Sequence, residues 1–353
     1  MPPLAATPFS ANVARMRIPH LPLLAALGLS LLTTPPATAE PLVYQGEAGP
    51  GKGKHLVFIA SDHEYRSEET LPALARILAR RHGFTCTVLF GVDAEGYIKP
   101  GESHIPGIEA LDRADLLILF TRFQDWPADQ MRHFVSYLER GGPVVGLRTA
   151  THAFKIPQDS PYAAYDYRHA GPEWKNGFGR AVLGETWAGH HGRNHQQSTR
   201  IDIVKEKAAH PILRGVTQAW AECGGYFTDP EPDSDILALA QPIEGMKPGG
   251  PDATEFKAVP AAWTRTYRLG DRTGRVFTST YGASGDIVDD GYRRLLINGC
   301  LWAVGLESAI TPDLDIAFVG PYQPHWHGST GRKARVKPAE LAGWDTPIWP
   351  AQP

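Results

Sequence analysis

The chain has 353 residues, 42% hydrophobic, 21% charged and 10% aromatic, a globular composition that excludes a disordered, collagen-like or coiled-coil protein. A net charge of −3 leaves no basic footprint for nucleic acid. The three cysteines, Cys86, Cys223 and Cys300, form no C-x-x-C pair, which excludes a disulfide scaffold, a zinc finger and a redox dithiol.

The first element is not part of a fold. Arg15 and Arg17 precede a short apolar run at 21–32 (LPLLAALGLSLL), and Ala37-Thr38-Ala39 ends just before Glu40. A positive n-region, a short h-region and an A-x-A site make residues 1–39 a secretory signal peptide, with Met16 an alternative start. The apolar run is too short for the roughly 20 residues of a spanning helix. The expected mature chain is exported, to a periplasm, with no membrane anchor after cleavage.

Residues 40–54 lead in. Four short, near-continuously apolar runs follow, at 55–61 (HLVFIAS), 85–90 (TCTVLF), 115–121 (DLLILFT) and 143–147 (PVVGL). They read as strands buried on both faces. Between them lie helical patterns. Leu71, Leu74, Ala75 and Leu78 share one face, with Gly83 as a stop; Met131, Phe134, Val135 and Leu138 share another, opened by Pro127 and closed by Gly141-Gly142. The alternation predicts a doubly wound, mostly parallel α/β sheet. Residues 155–198 are rich in Tyr, Trp, His and Gly with little periodicity and read as a long insertion of the kind that carries function. Strand patterns return at 199–204, 236–240, 259–267 and 275–281, and a last helix spans 290–304 with Gly305 ending it. No linker divides 55–306, which is taken as one domain. Residues 307–353, Pro- and Trp-rich, are expected to wrap over it.

In such sheets ligands bind at the carboxyl ends of the strands. The first strand is followed by Asp62, His63, Glu64 and Tyr65, the third by Arg122, and the fourth by Arg148, Thr149, Thr151 and His152. The insertion adds Glu185, Trp187, His190 and His191. Asp62 and Glu64 serve either as acid and base or as helix N-terminal acids. Arg122 and Arg148 either clamp a hydroxylated or anionic substrate or pair with Asp62, Glu64 or Glu185. His190, His191 and His195 tempt a metal reading, but adjacent histidines on a strand point to opposite faces and no zinc signature is present. Tyr162, Tyr165, Trp174 and Trp187 form either a sugar platform or the packing of the insertion. Cys86 and Cys300 lie on apolar faces and Cys223 has no local His partner, so none reads as a nucleophile. There is no G-x-S-x-G, P-loop or post-strand G-x-G-x-x-G.

The stretches SDHEYRSEETLPALARILARRHGF, ADLLILFTRF, GGPVVGLRTATHAF, GFGRAVLGETWAGHHG, HPILRG, VPAAWTRTY with GRVFTSTYGAS, and GYRRLLINGCLWAVGL resemble the trehalose-utilisation (ThuA-like) family, in its secreted subgroup. They cover residues 55 to 306. The resemblance implies a class I glutamine-amidotransferase-like, flavodoxin-like fold and a role in carbohydrate metabolism with links to 3-keto sugars. The turn that carries the catalytic Cys in true amidotransferases here holds Arg148, Thr149, Ala150 and Thr151, so glutamine hydrolysis through a thiolate is not expected. The Gly-His that ends the GRVF strand in many members is replaced by Gly282-Ala283-Ser284.

The expected function is an exported carbohydrate-processing enzyme acting on a glycoside or keto-sugar by general acid–base chemistry. Its candidate catalytic residues are His152, Arg148, His190, His191, Glu64 and Asp62. Its candidate substrate-binding residues are His63, Tyr65, Arg122, Thr149, Thr151, Glu185, Trp187 and Trp174. No cofactor is required, the ligand is a small carbohydrate, and assembly into a homo-oligomer is left open. The alternatives are a non-catalytic carbohydrate-binding module and a metal-dependent hydrolase using His190 and His191.

Overall fold

A computed structural model describes residues 40–328 and 335–350; the signal peptide expected at 1–39 lies outside the described residues. Twelve strands and three α-helices follow in chain order: β1 (Leu42–Gln45), β2 (His55–Ser61), α1 (Ser67–His82), β3 (Thr85–Phe90), β4 (Leu116–Thr121), α2 (Ala128–Glu139), β5 (Val144–Leu147), β6 (His190–His191), β7 (Gln197–Ile203), β8 (Ala219–Ala221), β9 (Gly225–Tyr226), β10 (Asp235–Glu244), β11 (Val259–Leu269), β12 (Arg272–Ser279) and α3 (Asp290–Ala303).

The four apolar runs form β2, β3, β4 and β5, and with β12 they pair in parallel in the order β3-β2-β4-β5-β12. Numbered along the chain this is 2-1-3-4-5, the flavodoxin order, whose switch point falls between the first and third strands, here β2 and β4. The expected α/β fold is therefore present. It is extended on one side by antiparallel β11, β10, β7 and β8, and on the other by antiparallel β1, giving a mixed ten-stranded sheet. The short pair β6–β9 stands apart.

The parallel strands β2, β4 and β5 are buried on both faces because they carry apolar residues at nearly every position. Leu56, Phe58 and Ala60 of β2 join one core with α1, α3 and the tail, while Val57 and Ile59 join a second core with α2. This is the two-sided winding that continuous apolar strands require. α1 stops at Gly83, left-handed at φ 81°, with its N–H on Ala79 O and that of Phe84 on Leu78 O. The insertion differs from expectation over 154–183. Phe154, Tyr165 and Phe178 stack edge-on with Trp126 and Phe134 and build the second core rather than a cleft.

The tail lies over the α1 and α3 flank. Arg76, fully buried on α1, donates to Thr346 O and Leu341 O, and Arg293 of α3 donates to Ile316 O. Among the described residues no helix is long and apolar enough to cross a membrane.

One contact tests the helix–sheet packing. Gly299 of α3 sits so close to β12 that a Cβ would lie 2.4 Å from Phe277 Cδ1. Alanine is normally the better helix former, yet Gly299→Ala is expected to destabilise by about 1–3 kcal/mol through overpacking. A lowered urea midpoint checks this, and an unchanged or raised midpoint refutes the close approach.

Candidate active site

The carboxyl ends of β2, β4 and β5 converge as the strand pattern requires. After β2 the chain turns on Asp62, whose Oδ1 accepts the N–H of Glu64 (2.9 Å) and of Tyr65, and whose Oδ2 accepts the Thr149 hydroxyl (3.1 Å). Asp62 is fully buried and shapes the turn that starts α1. Its expected acid–base role is corrected to a structural one, because its oxygens are occupied by these donors and water cannot reach it. Thr149 and Thr151 are buried too, and hold Asp62 and the His152 ring (Oγ1 to Nδ1, 3.2 Å) rather than a substrate.

Past the turn, His63 and Glu64 are half-buried at the rim. Arg122, at the end of β4, reaches both: its Nη1 pairs with Glu64 and lies 3.1 Å from His63 Nε2. The ion pair between Arg122 and Glu64 is one of the alternatives the sequence left open. Phe123, with the unusual φ of 52°, turns its ring between His63 (6.4 Å), His152 (5.1 Å) and Tyr167 (5.1 Å), with the Arg122 guanidinium over it at 4.8 Å.

Arg148 follows β5 with φ 48°, at the turn where the amidotransferase resemblance places a nucleophile. Its side chain does not reach the cleft surface. It is fully buried, donates from Nη1 to Gly224 O (2.6 Å) and Thr280 O (3.0 Å), and is sandwiched by Tyr65 (3.9 Å) and Tyr226 (4.3 Å). Its expected role in clamping substrate hydroxyls is corrected: it is a fixed charge beneath the floor. Burial opposes that charge, but Cys223, Tyr226, Tyr65 and Asp286 around it hold its pKa up.

His152 is 1% exposed, walled by Phe123, Trp187 (5.3 Å), Tyr226 (5.7 Å) and Tyr167 (6.3 Å). Burial, then Arg122 and Arg148, push its pKa well below the usual imidazole value. Among the described residues its Nε2 carries no hydrogen bond. His190, exposed on the other side of Trp187 (5.9 Å), lies 3.5 Å from the Tyr65 hydroxyl. Burial of part of its ring and then the Arg148 charge lower its pKa as well. Burial holds the Tyr65 phenol up at about 12, so it stays protonated and able to donate.

Three expected site residues lie elsewhere. His191 alternates to the opposite face from His190, as β geometry demands, and its Nε2 meets Lys257 O (2.8 Å) between Phe227 and Phe256. Glu185 accepts from Arg180, Thr186 N and Asp229 N and pins the loop before Trp187. Trp174 packs on Tyr165 (4.8 Å) beside Glu139 and Leu269, at the amino ends of β5 and β12, the sheet edge away from the cleft. The three thiols are buried with raised pKa values; Cys223 donates to Asp286 Oδ2 at 2.9 Å. Among the described residues no group of three His, Cys, Asp or Glu is set to hold a metal ion.

The sequence reading missed Phe123, Tyr167, Tyr226 and the tail residues that reach the rim. Phe123 follows Arg122 directly and was within reach of the strand-end rule. Tyr226 is not, because it arrives through the pairing of β9 with β6, opposite His190.

The ThuA family model, described as trehalose utilisation, matches residues 54–303. The chain belongs to the ThuA family. Among solved structures, this ThuA-family chain is similar to a protein described as ThuA-like from Bacteroides uniformis (16% identity, 76% of this chain and 98% of that one, TM-score 0.46). It is also similar to another from Parabacteroides merdae (19% identity, 71% and 90%, TM-score 0.42). No curated protein matches the chain. ThuA membership associates it with carbohydrate utilisation.

Proposed function

We propose that this chain is an exported carbohydrate-processing enzyme that binds a glycoside or keto-sugar in the cleft and moves a proton by general acid–base chemistry. The reading rests on one observation: two imidazoles with lowered pKa values, His152 and His190, flank Trp187 beside the Arg122 guanidinium. A sugar ring offers C–H faces to aromatic rings and hydroxyls to polar groups. Half-buried Phe123 and Trp187 supply the first, and His63, Glu64 and Arg122 the second.

The chemistry follows from the charges. His190 is exposed and neutral near pH 7, so it can take a proton from a hydroxyl or from carbon next to a carbonyl. With its Nε2–H toward the Tyr65 hydroxyl oxygen (3.5 Å), neutral His190 keeps its Nδ1 lone pair as the base. Arg122 offers positive charge where negative charge develops on oxygen. His152 presents Nε2 from within the aromatic wall as the second proton-carrying group. Arg148 touches no substrate; burial, with its charge added, keeps both imidazoles neutral. Export is supported by the n-region, h-region and A-x-A site of residues 1–39.

The test is a screen of glycosides and their 3-keto forms, read by mass spectrometry. On the substrate found, His190→Ala and His152→Ala are each expected to lower kcat by about 10²–10⁴-fold. The acid limb of the wild-type rate profile is expected below the usual imidazole pKa of 6.5, since the base stays neutral to lower pH. Full turnover in both variants overturns the assignment. One feature favours the non-catalytic module: Glu64, the rim carboxylate after β2, is tied to Arg122 rather than set to act as acid or base. Thermal stabilisation by a sugar without product would select that reading.

A further inference from the structure

The tail beyond residue 303, outside the ThuA match, does more than cover the sheet. Residues 322–328 are stapled to the rim along their length. Tyr322 donates to Ser284 O and Ser284 donates to His325 O. His325 gives its N–H to Glu69 Oε2 and sets Nδ1 3.0 Å from Oε1. Arg66 donates to Trp326 O, and Gly328 N donates to Glu64 O at 2.7 Å. This rigid segment nonetheless leaves Trp326 47% exposed. Its exposed indole face is free to take the C–H face of a ligand.

The indole is the outer layer of a stack that leads into the cleft. Trp326 lies 4.5 Å from His327 at 25°, His327 lies 5.0 Å from His195 at 22°, and His327 lies 5.4 Å from Tyr65 at 28°. Tyr65 is the residue whose hydroxyl approaches His190. His327 is fully buried with neither ring nitrogen hydrogen-bonded, so only ring contacts hold it. His195, exposed and with the strained φ of 62°, stands beside it and 5.7 Å from the Trp326 ring.

We infer that Trp326, with His195, forms a second saccharide subsite. It would take the distal pyranose ring of a disaccharide whose reacting ring sits between Phe123, Trp187 and His190. The ring face would lie on the indole, and a hydroxyl would meet the exposed His195 imidazole. The inference rests on the carbohydrate reading of the cleft.

The test uses full-length mature protein and calorimetry with trehalose, maltose and cellobiose against glucose. The wild type is expected to bind at least one disaccharide about tenfold more tightly than glucose, the scale of one added ring stack. Trp326→Ala is expected to bring that ratio to near one with glucose affinity unchanged, and Trp326→Phe to keep part of the preference. If glucose and disaccharides bind wild type and Trp326→Ala alike, the subsite is refuted while the carbohydrate reading stands. If no saccharide binds the wild type, both fail. If Trp326→Ala also loses glucose, the residue supports the cleft as a whole and the subsite is refuted.

Discussion

Arg76→Ala lowers the unfolding free energy by about 3–5 kcal/mol, the range for breaking a buried charged network, and releases the tail from its flank. Arg76 is completely buried, and its guanidinium is surrounded by oxygens of distant chain segments. Nη1 donates to Thr346 O (2.7 Å), Nη2 to Leu341 O and Thr346 Oγ1 (both 2.9 Å), and Nε to the Tyr44 hydroxyl (3.1 Å). Tyr44 itself donates to Leu341 O. Alanine would remove the charge and strand these carbonyls away from water, which is the costly case. Urea unfolding gives the free energy. Limited chymotrypsin digestion gives the release, with the bond after Trp344 expected as an early cut in the variant only. Wild-type stability in Arg76→Ala would show that the tail is held by its apolar contacts alone. Arg76→Met, which restores volume without charge, is expected to recover part of the loss.

Acid is expected to unfold this protein earlier than its carboxylates alone would require. Eight histidines, His55, His82, His152, His190, His191, His210, His325 and His327, have pKa values lowered chiefly by burial, that of His327 to about 3. A histidine lowered in the folded state is protonated first in the unfolded chain. Between the unfolded value near 6.5 and the folded value, the unfolded chain therefore binds more protons, and stability falls as pH falls. A fully shifted group contributes about 1.4 kcal/mol per pH unit. His327 alone would then remove about 1.5–2 kcal/mol between pH 6.5 and 5, and His152 adds to the loss in the same direction. Carboxylates with raised values work the other way: Glu222, lifted to about 6 by burial and Asp286, gains a proton in the folded state first and returns part of the loss. The expected result is a Tm that drops by several degrees from pH 7 to pH 5, and less in His327→Phe. A flat Tm over that range would mean these rings are charged in the fold.

The parallel half of the fold was legible because its strands are buried on both faces and so spell themselves as unbroken apolar runs. β2, β3, β4 and β5 lie within a residue of expectation. The antiparallel half was legible as strands but not as partners, since alternation shows a strand and not its neighbour. β10 proved longer, Asp235–Glu244 against 236–240, because opposite Thr199 of β7 Pro242 has no N–H to lose, and its carbonyl accepts from Ala253 N (2.9 Å) on the other side. In the site, strand ends announced Asp62 to Tyr65, Arg122 and Arg148 to His152. Their burial was not announced. Arg148 reads as a ligand clamp until Gly224, Thr280 and two tyrosines from distant segments close around it. Trp174 failed for a related reason: an aromatic cluster has the same composition whether it packs a core or faces a sugar. Trp326 was hidden in a tail whose proline content suggested only a wrap.

The grip of Arg76 on residues 341–346 also sets an order of events. β1 is a four-residue edge strand, and Tyr44 within it closes onto Leu341 and Trp344. The first strand and the buried arginine thus wait for a segment made nearly 300 residues later. A nascent chain can wind its parallel sheet early, but that flank stays open, with a guanidinium lacking its acceptors, until residues 341–346 have been made. Arrival of that segment, rather than completion of the sheet, is then the step that locks the flank.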